Sequence, residues 1–476
     1  MSLIVDVFYL LALVLLGPIL LWRMATQKKY RAGLLERLGF RVEPRVGTAP
    51  CFWVHGVSVG EVLATRPLVR EIERALPGWD IVISSTTQAG VEIARKTFPG
   101  RRVIFYPLDL SFAVRRLLRA IRPSVIVLVE LELWPNFLAR AWREDIPVTL
   151  VNGRISERSY NAYRWLEPLL LRPLQRIRRF CVQTDEYARR FLALGVPPSQ
   201  VLVTGNMKYD NLPGAGGGDR AAAADSPASG SAIADPDALQ AVARAARAAL
   251  DLAEGERVLL AGSTHAPEER TALGIYGRLA REYRDLRLVL APRHTDRIAE
   301  VEAEVRAAGF RPVKKTEIDG VRKSGAGTGT GARPAGEVPR PEVIIVDTMG
   351  ELAQLYAAAE VVFVGGSMVA RGGQNMLEPA GIGRPVVFGP NVANFRESAD
   401  LLLRANAAVQ VKDEAGLEAA LRSLLADREE AADLGRRARA SIQAHRGAAM
   451  KNVEVLKSVV AEVAGAAASQ ALAVAQ

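Results

Sequence analysis

The sequence predicts an α/β protein built as two doubly wound parallel-sheet domains with a cleft between them. Three observations carry this expectation. The length of 476 residues is too great for one ordinary core. Short β-rich runs alternate with longer amphipathic ones, the pattern of a parallel sheet wrapped by helices. That alternation stops at a stretch without periodicity and then starts again, so the pattern occurs twice.

The chain opens on an apolar segment, Leu3 to Trp22, interrupted by Asp6 and Pro18 and long enough to enter or cross a bilayer. Arg23, Lys28, Lys29, Arg31, Arg37, Arg41 and Arg45 follow with few acids among them, which by the positive-inside rule holds the next residues on the cytoplasmic side. No basic region precedes the apolar run and no small-residue cleavage site follows it, so a cleaved signal peptide fits poorly. Residues 1–22 are therefore expected to form an N-terminal membrane anchor helix.

The first domain is expected over residues 23–211, with strands at Cys51–Val54, Ile81–Ile83, Val103–Phe105, Val125–Val129, Val148–Val151, Phe180–Val182 and Val201–Val203. Residues 212–240, dominated at their centre by Ala, Gly, Ser and Asp, read as a flexible linker or insertion. The second domain spans 241–440, with strands at Val258–Ala261, Leu288–Leu290, Val343–Val346, Val361–Val364 and Val386–Phe388. A second loose stretch, 324–341, reads as a surface insertion, and 441–476 as an alanine-rich helical tail.

A net charge of +10 favours an anionic partner: nucleic acid, a phosphorylated metabolite or a membrane surface. Aromatic residues are sparse and no RNA- or DNA-reading motif occurs, so nucleic acid is not expected. Cys51 and Cys181 each lie inside an apolar run without metal-ligand spacing and read as buried thiols.

In the first domain, His55-Gly56-Val57-Ser58-Val59-Gly60-Glu61 joins a strand to a helix and places Glu61 in the first helical turn. Ser58 and Glu61 are also spaced as a capping box, so the carboxylate serves either the helix or a substrate. Glu130, in Val129-Glu130-Leu131-Glu132-Leu133-Trp134-Pro135-Asn136, ends a buried strand, where a carboxylate is costly unless paired or used. Lys208, in Thr204 to Asp210, lies at the domain junction. It is either a solvated lysine or a partner for a phosphate or sugar carboxylate.

Four segments of the second domain each follow a strand. Ala261 to His265 is the first, and Ala291-Pro292-Arg293-His294 the second, whose Arg293 offers a planar fork suited to phosphate. In Asp347-Thr348-Met349-Gly350-Glu351-Leu352, amides at a helix start could hold an anion, although Thr348 and Glu351 also make a capping box. Gly365-Gly366-Ser367-Met368 and Gly372 to Ala380 remove side chains where backbone must approach a ligand. There Asn375 is a potential cap and Glu378 a potential acceptor of ribose hydroxyls. Together the four describe a nucleotide-sugar site. The four histidines form no metal-binding pair, and no Asp-x-Asp run, Walker loop or GxGxxG is present, which argues against a triphosphate hydrolase and a dehydrogenase.

Taken in order, these motifs resemble those of the 3-deoxy-D-manno-octulosonic acid (Kdo) transferases of lipopolysaccharide assembly. The matching residues are His55 to Glu61, Val129 to Asn136, Thr204 to Asp210, Ala261 to His265, Pro292 to His294, Asp347 to Leu352 and Gly365 to Glu378. The resemblance covers nearly the whole chain, with Gly214 to Asp235 and Ser324 to Pro341 as insertions relative to the family. It implies a GT-B glycosyltransferase of two Rossmann-like domains, the acceptor bound mainly by the first and CMP-Kdo by the second, with no cofactor, no metal and inversion at the anomeric carbon. The catalytic base it implies is Glu61, assisted in the transition state by Glu130 and Lys208. The CMP contacts it implies are Pro292 and Arg293, then Met349, Gly350 and Glu351, then Asn375, Met376, Leu377 and Glu378. Gly56 stands where the family often has alanine and leaves Glu61 in register. Similarity further implies that the acceptor is a lipid A precursor, lipid IVA, met at the cytoplasmic face of the inner membrane. The alternative is another membrane-associated GT-B transferase or an epimerase that uses a UDP-sugar, because spacing does not specify the pyrimidine or the sugar.

Overall fold

The computed structural model describes residues 33–165, 174–212, 236–323 and 342–474, with isolated positions between 5 and 31. The chain divides into two compact units, Met1–Asn211 with His445–Gln476, and Leu212–Ala444.

The first unit is built on β1 (Cys51–His55), β2 (Asp80–Ser85), β3 (Arg102–Phe105), β4 (Val125–Val129), β5 (Val148–Gly153), β6 (Ile177–Val182) and β7 (Val201–Val203). They form one sheet in the order β3-β2-β1-β4-β5-β6-β7, every pair parallel. The central strands β1, β4 and β5 are buried at every residue, because helices cover both faces and no polar alternation is needed. One face packs Trp53, Tyr106, Phe137, Leu150, Phe180 and Phe191. The other packs Phe52, Val54, Leu68, Ile72 and Ile83 together with Val453 and Leu456. Those last two belong to the C-terminal helix Ala448–Val474, whose Glu462 also pairs with Arg178 and Arg179. The tail set apart from residue 441 on sequence grounds is thus, from His445 onward, part of the first unit.

The second unit carries β8 (Arg257–Thr264), β9 (Leu286–Pro292), β10 (Arg311–Lys314), β11 (Glu342–Ile345), β12 (Val361–Val364), β13 (Val386–Phe388) and β14 (Val409–Gln410). Their order is β10-β11-β9-β8-β12-β13-β14, again all parallel. The linker expected through residue 240 ends earlier: Pro236–Ala249 is a helix, begun by a proline, whose missing N–H costs nothing at that position. The remainder of that stretch, 213–235, and the insertion 324–341 lie outside the described residues, as does most of the expected anchor 1–22. Among the described residues no helix is long and apolar enough to cross a membrane.

Both sheets place their first strand at a point where the direction of winding reverses. β1 lies between β2 and β4, and β8 between β9 and β12. In doubly wound sheets the loops leaving the carboxyl ends of such strands diverge, and ligands bind in the space they leave.

Candidate active site

At the carboxyl end of β1 the chain turns through Gly56–Ser58 into the helix Val59–Ala64. Ser58 caps that helix, its Oγ accepting from the Glu61 amide at 3.3 Å. The Glu61 carboxylate in turn accepts from Ser58 Oγ and from the Val57 amide, both at 2.9 Å. The capping box legible in the sequence therefore forms, reaching one residue further back than usual. Among the described residues these two bonds use about half of the four or so lone-pair positions of the half-buried carboxylate. The turn itself is tied to β2: Ser85 Oγ donates to Val57 O at 2.7 Å.

β4 ends in a residue with strained backbone. Glu130 has φ of 64°, a left-handed conformation that costs a non-glycine residue roughly 1–2 kcal/mol. Its amide donates to Val151 O at 3.0 Å, and Arg154 stands 3.9 Å from its carboxylate. Two residues on, Glu132 accepts from Trp134 Nε1 at 2.6 Å. Burial, and then the negative charges of Glu61 and Glu130, push its carboxyl up to about 7 against the opposing pull of that bond. Glu132 thus lies within reach of the charges of two further carboxylates at this edge of the sheet. Beneath them the His55 ring stacks on Tyr106 at 3.7 Å, and burial holds the imidazole neutral by taking it down to about 3. Asp109 accepts the amides of Asn136 and Phe137 at 3.0 and 2.8 Å, holding the first turn of the helix Pro135–Arg143.

Lys208 is exposed on the loop after β7. A buried polar network fixes that loop: Asn152 Oδ1 accepts from the Met207 amide at 2.9 Å, Gln183 Nε2 donates to Asn152 O at 2.9 Å, and Asn206 Nδ2 donates to Gln183 Oε1 at 3.0 Å. Among the described residues no hydrogen bond or ion pair joins Lys208 to Glu61 or Glu130. Glu61 and Glu130, expected from the sequence to be catalytic, follow the adjacent strands β1 and β4, whereas the lysine shares only their unit. Asn152 and Gln183 were not singled out in the sequence. The one signal was an asparagine at the end of a strand, a residue that tolerates the left-handed φ of 53° found there.

In the second unit the glycine-rich segment differs from expectation. Glu268 is 1% exposed, and its carboxylate accepts four main-chain amides: His265 and Gly366 at 2.9 and 2.7 Å, Ser367 and Met368 at 3.0 and 2.9 Å. The amides expected to face a ligand are occupied by a built-in anion that clasps the loop after β8 to the loop after β12. A Cβ on Gly365 would stand 2.5 Å from Thr264 Cα, so the paired glycines permit two backbones to approach each other.

The charge of Arg293 reaches Glu378, although no hydrogen bond or ion pair joins the two among the described residues. Burial raises the Glu378 carboxyl, offset by a 2.9 Å bond from Asn375 Nδ2 and by the Arg293 charge. Pro292, Met376 and Leu377 are buried, so whatever they offer a ligand comes from the main chain. Met349 is exposed and Gly350 has φ of 91°, but the helix after them, Leu352–Leu355, is one turn long and supplies little dipole. Glu351 accepts from Thr348 Oγ1 at 2.9 Å and pairs with Lys315 at 2.8 Å. Among the described residues no hydrogen bond or ion pair joins this segment to Arg293 or Glu378. His265 and His294 lie edge to face at 5.5 Å, beside Gln374 and Arg371. Among the described residues no group of three or more His, Cys, Asp or Glu is placed to hold a metal ion.

The family described as 3-Deoxy-D-manno-octulosonic-acid transferase (kdotransferase) matches residues 32–211. The 3-deoxy-D-manno-octulosonic acid transferase of Bordetella pertussis is 32% identical over 470 residues, covering 94% of this chain and 98% of that one. The enzyme of the same name from Haemophilus influenzae is 30% identical over 439 residues, covering 90% and 92%. Among solved structures, the UDP-GlcNAc 2-epimerase of Neisseria meningitidis shares the fold with a TM-score of 0.54 at 12% identity, over 86% of this chain and 100% of that one. With two parallel-sheet α/β units of the GT-B kind and these relatives, the chain belongs to the 3-deoxy-D-manno-octulosonic acid (Kdo) transferase family and is a glycosyltransferase.

Proposed function

We propose that the protein transfers Kdo from CMP-Kdo to the lipid A precursor lipid IVA, with inversion at the anomeric carbon and without a metal. The observation that carries the reading is the Glu61 carboxylate, held by Ser58 Oγ and the Val57 amide at the carboxyl end of β1, on the sheet edge where the neighbouring β4 ends at Glu130. The acceptor hydroxyl gives its proton to Glu61 as its oxygen attacks the anomeric carbon. The bond from that carbon to the phosphate oxygen breaks, and CMP leaves with the electron pair. A positioned general base contributes about 10²–10⁴-fold. On the donor side, the Arg293 fork takes the phosphate whose charge grows as CMP departs, and Glu378 with Asn375 faces the ribose. Lys208, which with Glu130 assists the transition state, neutralises the sugar carboxylate.

The protein works at the cytoplasmic face of the inner membrane in this reading, with residues 1–22 as its anchor. Support comes from exposed Phe40, Phe112 and Trp142, with Arg116 stacked over both phenylalanines and Arg176 over the tryptophan, a mixture suited to anionic headgroups. The test is mass spectrometry of lipid IVA after incubation with the purified protein and a CMP-Kdo generating system. The expected result is a product heavier by whole Kdo units. Transfer from a UDP-sugar in place of CMP-Kdo would overturn the reading.

A further inference from the structure

Three carboxylates, Glu61, Glu130 and Glu132, follow the carboxyl ends of two neighbouring strands, β1 and β4, and the proposed reaction uses two of them. β1 and β4 are direct neighbours, His55 opposite Leu128, so the residues leaving each strand share one edge. The left-handed turn at Glu130 redirects the chain, and Leu131, Leu133 and Trp134 pack onto the core beneath. Glu132 lies between them. One of its oxygens is fixed by Trp134 Nε1 at 2.6 Å, and the other has no hydrogen-bond partner among the described residues. Among the described residues, the titratable groups in electrostatic contact with it are Glu61 from the helix after β1, Glu130 from its own loop, Tyr106 from the segment after β3, and Tyr163 from the helix Glu157–Trp165. None of these is a cation, and the nearby Arg154 pairs with Glu130 instead. The Tyr106 hydroxyl is buried with no hydrogen-bond partner among the described residues.

We propose that Glu132 is a further residue of the acceptor site, which in its protonated form donates a hydrogen bond from its free oxygen to an oxygen of the acceptor sugar. The proposal rests on the reading of Glu61 and Glu130 as the acceptor site. Two ionised carboxylates can only accept hydrogen bonds, so a sugar presenting both hydroxyl hydrogens and oxygens needs a donor among them. A neutral carboxylic acid supplies one where a third negative charge would be repelled by the first two. With its proton lost at about pH 7, Glu132 ceases to donate above neutrality and instead adds charge that opposes an anionic acceptor.

The test compares the full chain with Glu132→Gln, which is permanently neutral, still accepts from Trp134 and still donates. The reading is kcat/KM for the acceptor against pH. A single ionisation near 7 makes the parent fall about 50-fold between pH 7 and pH 9, whereas the variant falls less than about threefold. A uniform loss in the variant with the alkaline limb unmoved would show a purely structural role and overturn the proposal. Infrared difference spectra of parent against variant decide the matter even when no transfer is measurable. A protonated carboxyl band present in the parent at pH 6, missing from the variant and titrating near 7 supports the proposal. The absence of that band, or a midpoint in the ordinary glutamate range, overturns it while leaving the assignment of Glu61 untouched.

Discussion

Glu268→Gln tests whether a buried carboxylate, and not a ligand, organises the glycine-rich loop of the second unit. The side chain keeps its shape, but one of its two oxygens becomes an NH₂ group. One oxygen serves His265 and Gly366 and the other Ser367 and Met368, so either orientation of the amide leaves two main-chain N–H groups facing a donor. Hydrogen bonds to a charged acceptor are worth about 1.5–3 kcal/mol each, so the loss amounts to about 3–6 kcal/mol. Glutamine escapes the desolvation that raises the Glu268 carboxyl, which favours the lower end, about 3 kcal/mol. For a unit of this size that is a fall in melting temperature of about 6–12 °C. The loop also leads into Gly372–Glu378, so CMP affinity should fall by about tenfold or more, some 1.4 kcal/mol. Calorimetric melting of the full chain and CMP titration read both quantities. A variant melting within about 2 °C of the parent and binding CMP equally well would refute the clasp.

Three further outcomes are expected. Gly365→Ala places a methyl group 2.5 Å from Thr264 Cα and 2.7 Å from Ser263 O, backbone atoms with no room to yield. It should cost about 1–3 kcal/mol in chemical denaturation, and an unchanged midpoint would contradict the close approach. Glu132, raised to about 7, binds a proton in the folded state that the unfolded chain has already released above the ordinary range. Its contribution to stability is complete at low pH and lost as pH rises through about 7. Glu132→Gln should therefore gain about 1–2 kcal/mol on the parent between pH 4 and pH 8, a value reduced for partial exposure, and a pH-independent difference would count against it. CMP at a hundred times its dissociation constant should stabilise the protein by about 2.7 kcal/mol and UDP by much less, with the reverse preference pointing to a UDP-sugar enzyme.

Every strand candidate in the sequence overlaps an observed strand, and only Val343–Val346 overruns its strand, by the one residue Val346, because buried parallel strands are continuous apolar runs rich in β-branched residues. The two strands that were not legible, Arg311–Lys314 and Val409–Gln410, lie at the edges of the second sheet, where one is polar and the other two residues long. The placement of β11 between β9 and β10 was not legible either, since chain order does not fix spatial order. In the site, the Ser58–Glu61 spacing gave the cap geometry directly because it is local. Glu268 was missed for the opposite reason: an acid opening the helix Glu268–Glu282 reads as a solvated first turn, and its burial depends on amides about a hundred residues away. Gly365 and Gly366 were legible as places of close approach, but not what approaches. Glu132 stands out only once β1 and β4 are neighbours, when its charge meets that of Glu61 across the strands.

That Glu61 takes the acceptor proton is tested most directly by single-turnover transfer from CMP-Kdo to lipid IVA in Glu61→Gln. Glutamine is the other residue that completes a capping box, so the helix Val59–Ala64 keeps its start and the melting temperature should move by no more than about 2 °C. The predicted result is a rate lowered about 10²–10⁴-fold with CMP affinity intact. A folded variant that transfers Kdo within about threefold of the parent rate would contradict the assignment of the base.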